Sequence, residues 1–259
     1  MKIVRFQYQN TVSYGSLEND LVTVYDGSPF PLQDARSADF KATKKQIPLK
    51  DVRLLAPCLP SKVVCLGLNY RPHAAELNIK LPELPLLFLK PSTSVIGPGD
   101  DIVLPANPER IDYEGELGVV IGKTAKKVAG ADYADYVLGY TCINDVTDRV
   151  AQVKDGQWTR AKGYDTFAPT GPCISTSISP FNLKIETLVN DEVKQSGNTC
   201  DLIFGIPKLI SFISGIMTLL PGDVIATGTP DGIGPLQAGD TVEIVIAGIG
   251  TLRNRVVPG

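Results

Sequence analysis

The sequence predicts a β-rich α+β fold, and two observations support this class. Glycine and proline are frequent, with 24 and 20 residues in a chain of 259. They are spread between short runs of β-branched residues, which is typical of many short strands joined by turns. Only residues 205–220 have the apolar spacing of a long helix. We therefore expect mixed β-sheets with few helices.

The first 55 residues are expected to form a small N-terminal β domain. Three short strands joined by Asn-Asp and Asp-Gly turns are predicted in it, at residues 2–8, 11–15 and 20–25. Residues 34–50 are polar and lysine-rich, and two prolines follow shortly afterwards. We place the domain boundary there, so that residues 56–259 form the second domain.

The second domain begins with a buried-type strand at residues 63–67, which leads to the only histidine of the chain. Pro72 suits the first turn of a helix, and His73 and Glu76 would then share one helical face. A lone histidine is often a structural side chain. A carboxylate partner, however, fixes the tautomer of the imidazole and supports it as a base near neutral pH. Both interpretations remain open on these residues alone.

The most informative segment is I-D-Y-E-G-E-L-G-V-V-I-G at residues 111–122. On one extended strand, Glu114 and Glu116 project from the same face with Cβ atoms about 6.6 Å apart, a gap that one hard cation can bridge. The alternating Leu, Val and Ile side chains then face the core. We expect Gly115 and Gly118 to leave room for a ligand beside the acids. The alternative is an ordinary amphipathic strand with a solvated acidic face.

A third carboxylate, Asp145, follows the apolar strand predicted at residues 136–143. Together with the two glutamates it makes an oxygen-only set of the kind that binds Mg²⁺ or Mn²⁺. The other interpretation of Asp145 is a salt bridge to Arg149 or Lys162, because unpaired buried anions are costly. The residues alone do not decide between a metal site and a salt bridge.

The remaining segments predict further elements of the sheets. Residues 157–172 contain the only tryptophan and Lys162, and they predict an irregular loop that enters a site, without a helix. Residues 221–234 predict a strand that ends in a Gly/Thr-rich turn, whose amides and hydroxyls could hold a carboxylate. Other strands are predicted at residues 184–190, 193–197, 241–247 and 251–257.

Composition excludes several classes of function. A net charge of −3 provides no basic field for a nucleic-acid partner. Five cysteines without a C-x-x-C pair predict neither a disulfide framework nor a zinc ribbon, and one histidine excludes His-rich zinc sites. No signal peptide or bilayer-spanning apolar run is present, so we expect a soluble, cytoplasmic protein without a membrane partner.

Five sequence blocks, in this order, resemble the fumarylacetoacetate hydrolase family over about four fifths of the chain. The blocks are G-L-N-Y-R-P-H-A-A-E from Gly67, D-Y-E-G-E-L-G-V-V-I-G from Asp112, N-D-V-T-D-R-V-A-Q from Asn144, W-T-R-A-K-G-Y-D-T-F-A-P-T-G-P from Trp158 and P-G-D-V-I-A-T-G-T-P-D-G-I-G from Pro221. One departure is Pro72, which stands where the family often has Asp before the histidine. This changes the start of the helix and leaves the histidine and its glutamate in place.

The resemblance implies a fold, a site and a cofactor. The fold is a roll of mixed β-sheets of the family's C-terminal type, and members are usually homodimers. The implied cofactor is Mg²⁺ or Mn²⁺, and Ca²⁺ could occupy the same site in crystals. By resemblance, the metal ligands are Glu114, Glu116 and Asp145, the catalytic residues are His73, Glu76 and Lys162, and the substrate contacts are Arg149, Gln152 and Thr229.

The family acts on 2-oxo and 2,4-dioxo acids, so the resemblance implies a small keto acid as the ligand. We expect a metal-dependent enzyme that cleaves a carbon-carbon bond of an acylpyruvate-type acid by hydrolysis. Oxaloacetate decarboxylation and isomerisation of 2-hydroxy-dienedioates on the same scaffold remain open. A non-catalytic metal and keto-acid binding protein is the alternative from another class, and the presence of His73, Glu76 and Lys162 argues against it.

Overall fold

The computed structural model describes residues 1–31, 39–76 and 78–259. Strands up to residue 103 are β1 (Lys2–Tyr8), β2 (Thr11–Glu18), β3 (Leu21–Gly27), β4 (Phe40–Pro48), β5 (Arg53–Leu55), β6 (Lys62–Gly67), β7 (Leu86–Pro91), β8 (Val95–Ile96) and β9 (Asp101–Val103). Later strands are β10 (Ile111–Tyr113), β11 (Gly115–Ile121), β12 (Val137–Asn144), β13 (Thr147–Asp148), β14 (Ala168–Ser175), β15 (Lys184–Val189), β16 (Glu192–Asn198), β17 (Val224–Ala226), β18 (Gly234–Leu236), β19 (Thr241–Ile246) and β20 (Gly250–Val257). The helices are α1 (Arg71–Glu76), α2 (Arg149–Asp155), α3 (Thr159–Lys162) and α4 (Ile206–Ile216).

The described strands form three sheets, and the strand-rich, mixed-sheet architecture confirms the predicted fold class. The largest sheet has the order β4-β3-β2-β1-β14-β12-β11-β17-β6-β7, with β5 beside β1 and β8 beside β14. The smaller sheets have the orders β13-β10-β18 and β16-β15-β19-β20-β9. Most neighbouring strands are antiparallel, whereas β6 and β17, β8 and β14, and β9 and β20 run parallel.

The N-terminal strands continue the largest sheet of the rest of the chain. Strand β1 pairs with β14 through Lys2 opposite Ser175 and Ile3 opposite Ile174. Hydrogen bonds therefore cross from the first to the second predicted domain. The division at residues 55 and 56 stays a prediction.

The centre of the largest sheet is buried on both faces. Every residue of β11 is buried, and β12 and β17 are its neighbours on either side. Strands covered on both faces have near-continuous apolar sequences, as V-V-I in β11 and V-I-A in β17 illustrate. The predicted acids Glu116 and Asp145 lie at the ends of β11 and β12.

The polar segment predicted at residues 34–50 contains strand β4, which the sequence pattern did not predict. Residues 34–38 lie outside the described part of the chain. Strand β4 is an edge strand whose only buried side chain is Ile47, and it carries exposed lysines. Charged side chains are a common way to protect a sheet edge, so the lysine content of the segment suits this strand.

The pattern predicted one strand in the acidic segment at residues 111–122, but the structure forms two. Strands β10 and β11 belong to different sheets, and Glu114 lies at the junction between them. The expectation that glycines leave room for a ligand is also wrong. A Cβ atom on Gly115 would lie 2.2 Å from the Thr187 hydroxyl, and one on Gly118 would lie 2.9 Å from the Thr141 side chain. Both glycines instead allow neighbouring strands to pack closely.

Two helix predictions also need correction. Lys162 lies at the end of α3, within the segment predicted to contain no helix. The helix predicted at residues 205–220 ends earlier, at Ile216. Leu219 instead forms two backbone hydrogen bonds with Ala125, of 2.9 and 3.0 Å, and cannot continue the helix. Among the described helices, none is long and apolar enough to cross a bilayer.

Candidate active site

One cavity of about 420 Å³ brings together most of the predicted site residues. They come from helix α1, the β10–β11 junction, helices α2 and α3, and the turn after β17. Two predicted residues, Glu76 and Asp145, do not line the cavity but contact His73 and Lys162, which do. The predicted residues on the wall are His73, Glu114, Glu116, Arg149, Gln152, Lys162 and Thr229.

The three predicted metal ligands form a compact, buried group. Carboxylate oxygens of Glu114, Glu116 and Asp145 lie within 4.8 Å of one another. Strand pairing produces this arrangement, because β11 and β12 are antiparallel neighbours and the backbone N–H of Asp145 donates to the carbonyl of Glu114 at 2.8 Å. The carboxylates therefore converge although Glu114 leaves the regular strand.

Lysine side chains neutralise two of these acids. The ammonium of Lys162 lies 2.8 Å from Glu114 Oε2 and 2.6 Å from Asp145 Oδ2. Burial alone would raise the pKa of Glu114, but Lys162 and Arg149 outweigh burial and lower it to about 2. Burial would lower the pKa of Lys162, and the two carboxylates outweigh that effect and raise it. The salt bridge considered for Asp145 thus forms with Lys162, whereas Arg149 pairs with Glu114 and Asp112.

Glu116 has a different environment. Its carboxylate accepts a hydrogen bond of 2.7 Å from the backbone N–H of Gly228, and among the described residues no cationic side chain pairs with it. Burial, together with Asp145 and Glu114, raises the pKa of Glu116 well above its usual value. A divalent cation among the three carboxylates would supply the positive charge that Glu116 lacks. The all-oxygen, buried donor set therefore fits Mg²⁺ or Mn²⁺.

Lys90 is a site residue that the sequence analysis missed. Its ammonium is fully buried and lies 2.6 Å from Asp145 Oδ1 and 2.9 Å from the carbonyl of Val146. Lys90 therefore binds Asp145 Oδ1, whereas Lys162 binds Asp145 Oδ2. Alternation along β7 could have revealed it, because Lys90 shares a strand face with Phe88, which lines the cavity.

The predicted His73 and Glu76 pair is formed. His73 Nδ1 lies 2.8 Å from Glu76 Oε2, and the other carboxylate oxygen of Glu76 accepts a 3.1 Å hydrogen bond from the backbone N–H of Gly232. If Nδ1–H donates to Glu76, Nε2 is free to accept a proton. His73 itself is buried and lines the cavity.

The predicted substrate contacts at the start of α2 are held by hydrogen bonds. Asp148 caps the helix by accepting from the backbone N–H of Ala151 at 2.9 Å. Arg149 then donates to Gln152 Oε1 at 2.6 Å and to Asp112 Oδ2 at 2.9 Å. Asp112 is fully buried and was not singled out in the sequence, although it opens the block that resembles the family.

Thr229 is fixed from two sides. Its hydroxyl donates to the carbonyl of Gly115 at 2.9 Å and accepts from Gln195 Nε2 at 2.8 Å. The amide oxygen of Gln195 accepts from the backbone N–H of Gly115 at 3.0 Å. The Gly/Thr turn that was expected to hold a carboxylate therefore holds one from the protein itself, since Gly228 donates to Glu116.

Comparisons with known proteins agree with this architecture. The family model described as "Fumarylacetoacetate (FAA) hydrolase C-terminal" matches residues 62–257, and the model "Rv2993c-like, N-terminal" matches residues 1–57. Oxaloacetate tautomerase Fahd2a, mitochondrial, of Rattus norvegicus is 41% identical over 240 residues, which covers 87% of this chain and 77% of the rat protein.

Two solved structures are similar along the whole chain. A 2-hydroxyhepta-2,4-diene-1,7-dioate isomerase from Mycobacterium marinum has a TM-score of 0.91 and 44% identity, and the match covers 100% of this chain and 98% of that one. Maleylpyruvate hydrolase from Sphingobium sp. SYK-6, in complex with manganese(II) ion and pyruvate, has a TM-score of 0.81 and 34% identity over 100% of both chains. The chain belongs to the fumarylacetoacetate hydrolase family.

Proposed function

We propose that the protein is a divalent-metal-dependent enzyme that hydrolyses a carbon-carbon bond of a 2,4-dioxo acid of the acylpyruvate type. The observation that carries the proposal is the placement of a His73–Glu76 pair and three buried carboxylates at one cavity. The carboxylates offer a site for a cation, and the imidazole offers a base. A related hydrolase has been solved with manganese and pyruvate, which supports a metal and a keto acid at this kind of site.

The metal ligands in this proposal are Glu114, Glu116 and Asp145, and Mg²⁺ or Mn²⁺ is the cation that suits them. When bound, such a cation polarises the carboxylate and the adjacent carbonyl of a 2-oxo acid. The protein would hold the remaining substrate oxygens with Arg149, Gln152 and Thr229, which line the same cavity.

His73 is the proposed general base. Its Nε2 would take a proton from a water molecule, whose oxygen bonds to the distal carbonyl carbon of the substrate. The bond between that carbon and the neighbouring methylene carbon then breaks, and its electron pair passes to the pyruvate fragment. Protonated His73 can return its proton to that fragment, which leaves pyruvate and a carboxylic acid as products. The Glu76 carboxylate stabilises the imidazolium formed in between.

Lys162 is proposed to stabilise the negative charge that develops on the pyruvate fragment. Its ammonium is buried beside Glu114 and Asp145, where a positive charge acts strongly because little water screens it. Lys90 holds Asp145 from the opposite side and is expected to keep that carboxylate in place.

Tautomerisation of a 2-oxo acid is a second candidate, because the rat relative is named an oxaloacetate tautomerase. The isomerase from Mycobacterium marinum points to related proton transfers in longer dioates. Both reactions need a base that moves a proton beside a carbonyl group, and neither needs an attacking water. Decarboxylation of oxaloacetate would likewise proceed without activated water.

The deciding experiment is a substrate panel with Mg²⁺, with Mn²⁺ and with EDTA. Acetylpyruvate cleavage is followed by formation of pyruvate, oxaloacetate turnover by enol absorbance and released CO₂, and a hydroxymuconate-type acid by its diene absorbance. We expect metal-dependent release of pyruvate from acetylpyruvate with the highest kcat/KM. Faster enol-keto exchange of oxaloacetate without bond cleavage would favour the second candidate. Metal-dependent binding without any turnover would indicate a binding protein.

The expected homodimer also stays a prediction. Light scattering coupled to gel filtration measures the mass in solution. A mass near twice the 27.8 kDa of one chain would confirm it.

A further inference from the structure

The outer part of the active-site cavity is apolar, in contrast to its charged floor. Glu116 and Lys162 at the floor are almost completely buried, at 1% and 2% exposure. Three aliphatic side chains line the same cavity and are largely exposed, which places them at its mouth. They are Ile79, Leu86 and Val153, with exposed fractions of 50%, 49% and 79%.

An aromatic wall joins the floor to the mouth. The rings of Phe88 and Trp158 both line the cavity and meet edge to face with centroids 5.2 Å apart. The Trp158 ring lies against the backbone of Gly67, where a Cβ atom would approach it to 2.7 Å. The Lys162 ammonium lies 4.9 Å from the centre of the Phe88 ring. The charged end of a ligand at the floor would therefore lie next to an aromatic, apolar surface.

Among the described residues, no Lys or Arg side chain lies with the aliphatic side chains at the cavity mouth to pair with a second carboxylate. Among the described residues that line the cavity, the Lys and Arg side chains are Lys162 and Arg149. Lys162 is held by Glu114 and Asp145, and Arg149 by Asp112 and Glu114. The proposed function already assigns both cations to the keto-acid head of the substrate. A terminal carboxylate at the mouth would lose water against aliphatic side chains without gaining a partner, which is unfavourable. An uncharged tail would bury apolar surface there.

The size of the cavity leaves room for such a tail. Pockets of about 300–1,000 Å³ hold ligands of drug size. The cavity volume of about 420 Å³ exceeds what a three-carbon keto-acid head requires. We propose, on the basis of the function proposed above, that the mouth is a subsite for an uncharged, apolar acyl tail, so that the preferred substrates are monocarboxylic acylpyruvates with medium-length alkyl or aryl tails. Ile79, Leu86 and Val153 determine this preference.

The first test compares kcat/KM for acetyl-, butanoyl- and hexanoylpyruvate with Mg²⁺. Each methylene that enters the mouth should raise kcat/KM about threefold to fourfold, the equivalent of about 0.8 kcal/mol per buried CH₂. Succinylpyruvate is the matched dioate, since it differs from butanoylpyruvate by a carboxylate in place of the terminal methyl group. Its kcat/KM should be at least about tenfold lower. Equal values along the series, with acetylpyruvate still hydrolysed, would overturn the tail subsite and leave the hydrolase function standing.

The second test introduces a positive charge at the mouth of the cavity. Val153→Lys lies on the exposed face of α2, so the variant should fold, and it should raise the succinyl-to-butanoyl ratio of kcat/KM about tenfold. Val193→Lys is the matched control, because Val193 is 54% exposed on β16 and does not line the cavity. Leu86→Ser should reduce the dependence on tail length. If Val153→Lys changes the mass in solution and leaves the ratio unchanged, the patch is an interface between chains and the subsite is refuted.

A binding measurement decides the subsite even without turnover. If no 2-oxo acid reacts with Mg²⁺ or Mn²⁺ present, the proposed function fails. Calorimetric titration of the metal-loaded protein with pyruvate, 2-oxohexanoate and 2-oxoadipate then tests the tail preference by itself. Tighter binding of 2-oxohexanoate than of the other two supports the subsite. Equal affinities, or no binding, would overturn it.

Discussion

Replacing Glu116 with glutamine should separate metal binding from folding. Glu116 is the acid of the three that has no cationic partner among the described residues, and burial with two neighbouring carboxylates raises its pKa well above the usual value. The metal-free protein therefore favours a protonated Glu116, which a glutamine closely resembles in shape. The amide oxygen can still accept the hydrogen bond from Gly228. At a pH where Glu116 is protonated, we expect the metal-free variant to melt near the wild-type temperature.

Metal should stabilise the wild type much more than the variant. A ligand that binds only the folded state at 100 times its Kd adds about 2.7 kcal/mol to the free energy of unfolding. In a chain of this size, 1 kcal/mol corresponds to about 2–4 °C, so saturating metal should raise the melting temperature by about 5–10 °C. Glu116→Gln removes one of the three anionic ligands and should abolish most of that increase.

The assay is thermal unfolding with EDTA and with millimolar Mg²⁺ or Mn²⁺. Glu18→Gln is the matched control, because Glu18 is an exposed glutamate at the end of strand β2 and should keep the full increase. An equal increase in wild type and Glu116→Gln would remove Glu116 from the metal site. No increase in the wild type would refute the metal site as a whole.

Further predictions concern protonation, catalysis, motion and thiols. Because its pKa is raised, Glu116 binds a proton more tightly in the folded metal-free protein than in the unfolded chain, so its contribution to stability falls as pH rises towards the folded pKa. The melting temperature of Glu116→Gln relative to wild type, both in EDTA, should therefore increase as the pH rises above the ordinary glutamate pKa, and a constant difference would contradict the shift. His73→Ala should lower the hydrolysis rate of acetylpyruvate by about 10² to 10⁴, with a smaller loss for oxaloacetate decarboxylation, and an unchanged hydrolysis rate would exclude His73 as the base. Because His73 and Ile79 line the cavity, we expect residues 71–76 and 78–85 to act as a lid, so their hydrogen exchange should slow when oxalate is added with metal, and equal exchange would argue against a lid. A thiol reagent should modify only Cys200 in the folded protein, since the other cysteines are buried, whereas fast labelling of a second thiol would show that the core opens.

Local patterns predicted the parts of the site that neighbouring residues build. His73 and Glu76 are three residues apart on one helical turn, and the structure forms the hydrogen bond between them. The alternation of Leu117, Val119 and Ile121 likewise predicted one strand face turned to the core, and all three side chains are buried. The apolar spacing of residues 205–220 predicted the long helix, which the structure places at Ile206–Ile216.

Contacts between distant segments were not predictable from local patterns. Lys90 lies 55 residues before its partner Asp145, and the pairing of β11 with β12 decides which carboxylates converge. The sequence left open whether Asp145 serves a metal or a salt bridge, and the structure shows the salt bridge to Lys162 beside a donor set that also fits a cation.

The sequence by itself determined the β-rich class, the helical His73–Glu76 pair and, through its resemblance to a family, the acids of the site. These features depend on residue types at short spacing, where the geometry of a helix or strand fixes which side chains are neighbours. Only the tertiary structure decided that Glu114 sits between two sheets, that Lys90 and Lys162 share Asp145, and that the cavity mouth is apolar. Those features depend on which strands pair and how the sheets pack, because packing brings together residues that no local periodicity relates.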